Sequence, residues 1–316
     1  MLHAPSPWLH RLAVATAAAT LVLLFVGGLV TSTGSGLAVP DWPLSFGRVF
    51  PPMVGGVLFE HGHRLAASLV GCLTLALALW VAVAEPRAGV RALGLLALFA
   101  VVLQGVLGGV TVLYKLPLAV SVVHACLAQV FFCITVSLAL VTGSRWRADA
   151  VPVGTPSALP VLASVTTGLV FGQLVLGALV RHMGAGLAIP DFPLAFGRLV
   201  PPLVTEPVRV HFAHRAGALV VTVAVLSTAG VVFRRHRGEP ALVRPALLAL
   251  ALLAAQITLG ALVIWTARAV LPTTTHLVIG AGLLATCLVL ALRSSRIVPE
   301  RRTADRTAAA GQRVAA

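Results

Sequence analysis

Four histidines, His63, His124, His214 and His276, occupy matched places in two stretches of this chain, and their spacing makes two pairs. His63 and His124 lie 61 residues apart, and His214 and His276 lie 62 apart. Each falls one or two turns inside the end of a long apolar run, so the depth is shared. One helix leaving that level and another entering it can place two imidazoles opposite each other inside a four-helix bundle. Facing imidazoles supply both axial ligands to a metal whose equatorial positions are already filled, as those of haem iron are. Zinc fits less well, because neither pair has a second nearby His or Cys to complete a tetrahedral set. One such histidine alone reads as a hydrogen-bonded packing residue; four in two-fold repetition read as ligands. His61, His182 and His211 lie near the same surface, where solvation, carboxylate contact and ligation fit equally well, whereas His3, His10 and His236 lie at the other.

Charged neighbours refine this picture. Arg64 and Arg215 each directly follow a candidate ligand, and an arginine fork pairs bidentately with carboxylates such as the two propionates of a haem. A snorkelling interfacial arginine is the plainer alternative. Arg48 and Arg198, in the loops before them, rank lower for the same purpose. The two stretches differ at one place: Glu60-x-x-His63-Arg64 stands where the other has His211-x-x-His214-Arg215. Glu60 is the acidic residue nearest a span interior, and a spacing of three puts it on the helix side of His63. An intramembrane carboxylate is costly and is read as functional by default, so the asymmetry points to a reactive first stretch and a cofactor-holding second one.

The elements that must position these residues are membrane helices. Of 316 residues, 59% are hydrophobic and 10% charged, more apolar than a soluble core of this length requires. A span needs about 20 apolar residues, and breaks at charged, Pro and Gly clusters delimit eight predicted helices: 10–31, 58–84, 92–113, 118–142, 159–181, 209–233, 245–266 and 272–292. The run opening the first helix is too long for a secretory signal, and a later segment mirrors it. The formal charge of +14 resides in arginines scattered between apolar runs, so no nucleic-acid surface is expected. Cys72, Cys126, Cys133 and Cys287 all fall within apolar runs and form no CxxC, which makes them packing residues.

The helices form a repeat. The segment from Gly34 to Pro52 matches that from Gly184 to Pro202 at 13 of 19 positions. The register continues through His63-Arg64 and His214-Arg215, Gln104-x-x-Leu107-Gly108 and Gln256-x-x-Leu259-Gly260, and His124 and His276. The expected fold is therefore an all-α polytopic membrane protein of eight transmembrane helices, arranged as two tandem four-helix bundles related by a pseudo-two-fold axis along the membrane normal. The expected boundaries are 1–142 for the first repeat, 143–158 for a cytoplasmic linker, 159–292 for the second repeat and 293–316 for a disordered cytoplasmic tail. With both termini cytoplasmic, that side carries fifteen Arg and the other eight Arg and Lys, as the positive-inside rule requires. The repeated loop has the Gly, Pro and Asp of tight turns, and without GxxxxGK or a strand-borne GxGxxG it supports no nucleotide site. Trp42 and Phe192 read as interfacial aromatics or pocket caps, and Gly27-Gly28 and Gly108-Gly109 allow close helix approach.

These features together resemble the haem A synthase family. The resemblance is carried by Gly27-Gly28-Leu-Val-Thr-Ser-Thr-Gly-Ser-Gly-Leu with Pro40-Asp-Trp-Pro-Leu44, by Glu60-His-Gly-His-Arg64, by Gln104-Gly-Val-Leu-Gly-Gly-Val-Thr111 and by His124-Ala-Cys-Leu-Ala-Gln129. It covers roughly residues 10–292. It implies oxidation of the C8 methyl of haem O to the formyl of haem A by successive hydroxylations and loss of water, serving haem–copper terminal oxidase biogenesis. By position, His63 and His124 would bracket the substrate haem, His214 and His276 would ligate haem b, and Glu60 would be the family's essential glutamate. It further implies a bacterial plasma membrane location. Haem O synthase (the prenyltransferase forming haem O), a membrane electron acceptor and a second copy of the chain are the candidate partners. One departure stands out: many bacterial relatives carry a cysteine pair in the first outer loop, sometimes also in the third. The corresponding residues here are Val39 and Ser45, with Ile189 and Ala195 in the second copy, so no disulfide forms there.

Two other readings remain open on the residues themselves. A di-haem b-type electron-transfer protein would use all four histidines as permanent ligands, and a parallel-repeat transporter would use His and Glu as a proton relay.

Overall fold

A computed structural model describes residues 7–144, 146, 153–154, 158–296 and 298–299. Eight helices cross its length, each long and apolar enough to span a bilayer. They are α1 (Pro7–Ser32), α2 (Gly56–Ala84), α3 (Ala88–Leu113), α4 (Leu118–Thr142), α5 (Leu159–His182), α6 (Glu206–Arg235), α7 (Pro240–Trp265) and α8 (Val270–Ser294). A 26-residue helix such as α1 is about 39 Å long, enough to cross a hydrocarbon layer of about 30 Å with a turn to spare. Helices suit this environment because every backbone group inside them is satisfied locally. Buried hydroxyls follow the same logic: Thr16, Thr20 and Thr74 each donate to the carbonyl four residues earlier, at 2.7–2.8 Å.

In the first set α1 packs on α2 and α4, and α3 joins α2 to α4; in the second, α5 packs on α6 and α8, and α7 joins α6 to α8. Each set of four therefore closes on itself with the same neighbours. The sets meet where α1 and α4 touch α8 and α4 touches α5. Leu24, Phe132, Ala281 and Ala285 form an apolar cluster at that seam. Large apolar side chains such as Val83, Phe99 and Val223 remain exposed on the outside, the surface that a bilayer covers.

The helices begin and end within a few residues of expectation, with one instructive difference. The sequence reading starts the seventh helix at Pro245, but α7 begins at Pro240 and carries Pro245 inside it. A proline there cannot donate to the carbonyl of Ala241. Arg293 supplies the missing donor, its Nη1 lying 2.7 Å from that oxygen. Arg293 and Ser294 belong to α8, so the expected tail starts as helix. Most of the 143–158 linker and the tail from 300 onward lie outside the described residues, apart from a short parallel pairing of Val153–Gly154 with Val298–Pro299.

Two long connections, 33–55 and 183–205, lie at one end of the molecule, called here the loop face. Their structures repeat. The Asp41 carboxylate accepts hydrogen bonds from the amides of Phe46 (2.7 Å) and Gly47 (2.8 Å), and Asp191 does the same for Phe196 and Gly197 at the same distances. Gly47 and Gly197 take φ of 68° and 71°, a region where a Cβ is unfavourable. Val39 and Ser45, and Ile189 and Ala195, where the resemblance would place a cysteine pair, are buried. Ser45 bonds Nδ1 of His61 (2.8 Å), while Ile189 and Ala195 pack together with Val208.

Candidate functional site

The four histidines sit six to eight residues into the helices that start at the loop face, His63 on α2, His124 on α4, His214 on α6 and His276 on α8. Each packs its Cε1 against a glycine of a neighbouring helix. A Cβ added at Gly27 would stand 2.9 Å from His63, at Gly108 3.5 Å from His124, at Gly177 3.2 Å from His214 and at Gly260 3.3 Å from His276. Small residues at these points let the helices close around an imidazole that points into the bundle.

In the second half the ring centroids of His214 and His276 stand 6.4 Å apart with their planes at 74°. Two metal–imidazole bonds of about 2 Å each, with half a ring at either end, span roughly that distance. The pair therefore fits a bis-imidazole metal such as haem iron, and the donor chemistry is right for it. His63 and His124 take the corresponding places on α2 and α4 in the first half. Polar atoms without a protein partner concentrate around both pairs. Among the described residues they include Nδ1 of His63, His124 and His276 and Oε1 of Gln104, Gln173 and Gln256. A buried polar atom left unpaired costs about 1–3 kcal/mol, so such a cluster makes this region the candidate for a ligand.

The glutamines differ between halves. Gln104 donates to the carbonyl of His124 (3.1 Å), and Gln256 lies 3.3 Å from Nε2 of His276. Gln173 donates to the His214 carbonyl (2.7 Å) and lies 3.0 Å from its Nδ1. The first half has Leu23 at the place of Gln173. Gln173 thus holds His214 through two contacts, which the first half lacks. Sequence reasoning missed Gln173, although a single glutamine within the fifth apolar run was a readable signal.

Glu60 is buried in α2. Its Oε2 accepts from the amide of Val39 (2.9 Å), and its Oε1 is 2.6 Å from Nη2 of Arg64. Arg64 also donates to the carbonyls of Asp41 (2.8 Å) and Leu44 (2.7 Å). His211 takes the same place in the second half, its Nδ1 facing the Ile189 amide (3.3 Å) and its Nε2 facing Nε of Arg215 (3.3 Å). Arg215 reaches the carbonyls of Asp191, Leu194 and Ile189. Both arginines, expected at haem carboxylates, thus direct most of their donors to the loops. Trp42 lies over Gly109, whose added Cβ would come within 2.7 Å of the indole; Phe192 packs edge-on to Trp265, with ring centroids 6.1 Å apart.

Fold and site together define a polytopic helical membrane protein that holds two pairs of histidines at one depth near its loop face. Residues 53–289 match the family model described as cytochrome oxidase assembly protein, and the chain belongs to that family. Its relatives include proteins named Heme A synthase. That of Symbiobacterium thermophilum is 38% identical, over 80% of this chain and 85% of the relative. That of Shouchella clausii is 31% identical over 83% and 89%, and that of Geobacillus kaustophilus 30% identical over 88% and 91%. The sequence resemblance and the family match agree.

Proposed function

We propose that the protein is a haem A synthase, a membrane oxidoreductase that converts the C8 methyl of haem O to a formyl group by successive hydroxylations and loss of water. The observation that carries this reading is the asymmetric repeat: two histidine pairs at one depth, with an ion-paired carboxylate beside the first and a glutamine-held imidazole in the second. The first half takes haem O between His63 and His124. The second half holds haem b through His214 and His276, and bound haem b supplies one-electron transfer.

Glu60 acts on the substrate side. Located one turn from His63, it either accepts a proton released on oxidation of the methyl or stabilises positive charge developing at that carbon. Arg64 keeps the carboxylate in place through the 2.6 Å ion pair, and the Val39 amide holds the other oxygen. The protein resides in a bacterial plasma membrane with both termini cytoplasmic and the histidines toward the outer side. It works with a membrane electron acceptor, and a haem O-forming prenyltransferase supplies its substrate.

The test is chromatography and mass analysis of haems extracted from detergent-purified protein made in cells that form haem O. Haem b together with haem O or haem A is the expected result. Two equivalents of haem b alone would make the protein a di-haem electron carrier, and a folded, haem-free protein would leave the transporter.

A further inference from the structure

Arg181 stands one residue before the end of α5, a turn beyond Gly177, the glycine that packs on His214. Its Nη2 donates to the carbonyl of Gly28 (2.6 Å) and to Oγ of Ser32 (2.7 Å), both on α1. Thr274 of α8, two residues before His276, donates to the same Ser32 oxygen (2.9 Å). The guanidinium therefore lies at the junction of α1, α5 and α8, where the two halves meet.

Among the described residues this cation has no counter-ion. Among the described residues the ion pairs are Arg64–Glu60 and Arg87–Glu85, and Asp41 and Asp191 hold their own loops. Nor does any hydrogen bond among the described residues engage Nε or Nη1 of Arg181, in contrast to Arg64 and Arg215, whose forks are directed to loop carbonyls. A partly buried guanidinium is costly unless an anion meets it, and the Nε–H and Nη1–H groups of Arg181 left unengaged are donors from which carboxylate oxygens can accept singly. The repeat sharpens the point: the first half has Thr31-Ser32 where the second has Arg181-His182. The arginine is therefore a feature of the second half alone.

We propose that Arg181 binds a carboxylate of the haem held by His214 and His276, and by its bonds to Gly28 and Ser32 ties that cofactor to the helix lining the substrate half. The proposal rests on the haem b assignment above. Its test uses optical titration of haem-free, detergent-purified full-length protein with haem b and with haem b dimethyl ester, whose carboxylates are methylated. The wild-type protein is expected to prefer the free acid by about tenfold or more, the size of a charge-assisted hydrogen bond. Arg181→Gln should bind both forms alike, and Arg181→Lys should show an intermediate preference. An undiminished preference in either variant would overturn the proposal and leave Arg181 as a tie between helices; should Arg181→Gln not fold, the lysine variant decides alone. Absence of any haem binding by the wild-type protein, or unchanged binding by His214→Ala, would instead overturn the haem b assignment itself.

Discussion

Glu60 and His211 show how one place in a repeat can hold two chemistries. Both side chains receive the amide of the residue at the loop base and face the arginine four residues on, so the local architecture needs an acceptor but not a carboxylate. The carboxylate in the first half is therefore surplus to structure, which is the physical case for a chemical role. Glu60→Gln keeps an acceptor for the Val39 amide and removes the negative charge. It should abolish haem A formation, read by haem extraction, while leaving the second-half haem b spectrum unchanged; loss of both would place Glu60 in folding instead. If His214 and His276 together hold haem b, His214→Ala or His276→Ala should remove it, because either substitution leaves a single imidazole to hold the group. Retention of the full low-spin spectrum in either variant would refute the pair as ligands.

At the scale of elements, the loops and the helices beneath them are fitted to each other. Trp42 covers Gly109, whereas the second copy pairs the smaller Phe192 with Ala261 in the corresponding places. Gly109→Ala should lower stability by about 1–3 kcal/mol through overpacking, and Trp42→Phe in the same chain should recover part of it; thermal unfolding in detergent measures both. Each loop is also held by an aspartate. Amide donors from Gly47 and Phe46 keep the Asp41 carboxyl below its ordinary value of 3.8, and those from Gly197 and Phe196 do the same for Asp191. A depressed carboxyl contributes its stability above the ordinary value and loses it as pH falls through the lowered one. Cleavage within 33–55 and 183–205 by an acid-active protease should therefore be slow above about pH 4 and accelerate below it. A rate unchanged down to pH 2 would show that the aspartates do not hold the loops.

Across the whole molecule, the seam between the two sets of helices is close at one point. A Cβ on Gly28 would lie 2.9 Å from Cγ2 of Thr274, beside the Ser32 oxygen that Arg181 and Thr274 share. Gly28→Ala should therefore lower the unfolding temperature. Thr274→Ser, which removes the obstructing methyl and keeps the hydroxyl, should restore it. Failure of the second change to compensate would mean that the strain lies elsewhere than in this contact.

The sequence by itself determined the number of helices, the repeat and the residues worth watching. Apolar runs of bilayer length have one solution in lipid, and an identity of 13 in 19 positions leaves no doubt of duplication. His63, His124, His214, His276 and Glu60 were legible because a polar group in an apolar run is costly enough to need a reason. The tertiary structure alone decided what those residues touch. That Arg64 and Arg215 turn to the loops, that Gln173 steadies His214, that Arg293 satisfies the carbonyl freed by Pro245, and that Arg181 crosses to the other half all depend on contacts between residues far apart in the chain. Such contacts are set by packing geometry, on which local periodicity carries no information.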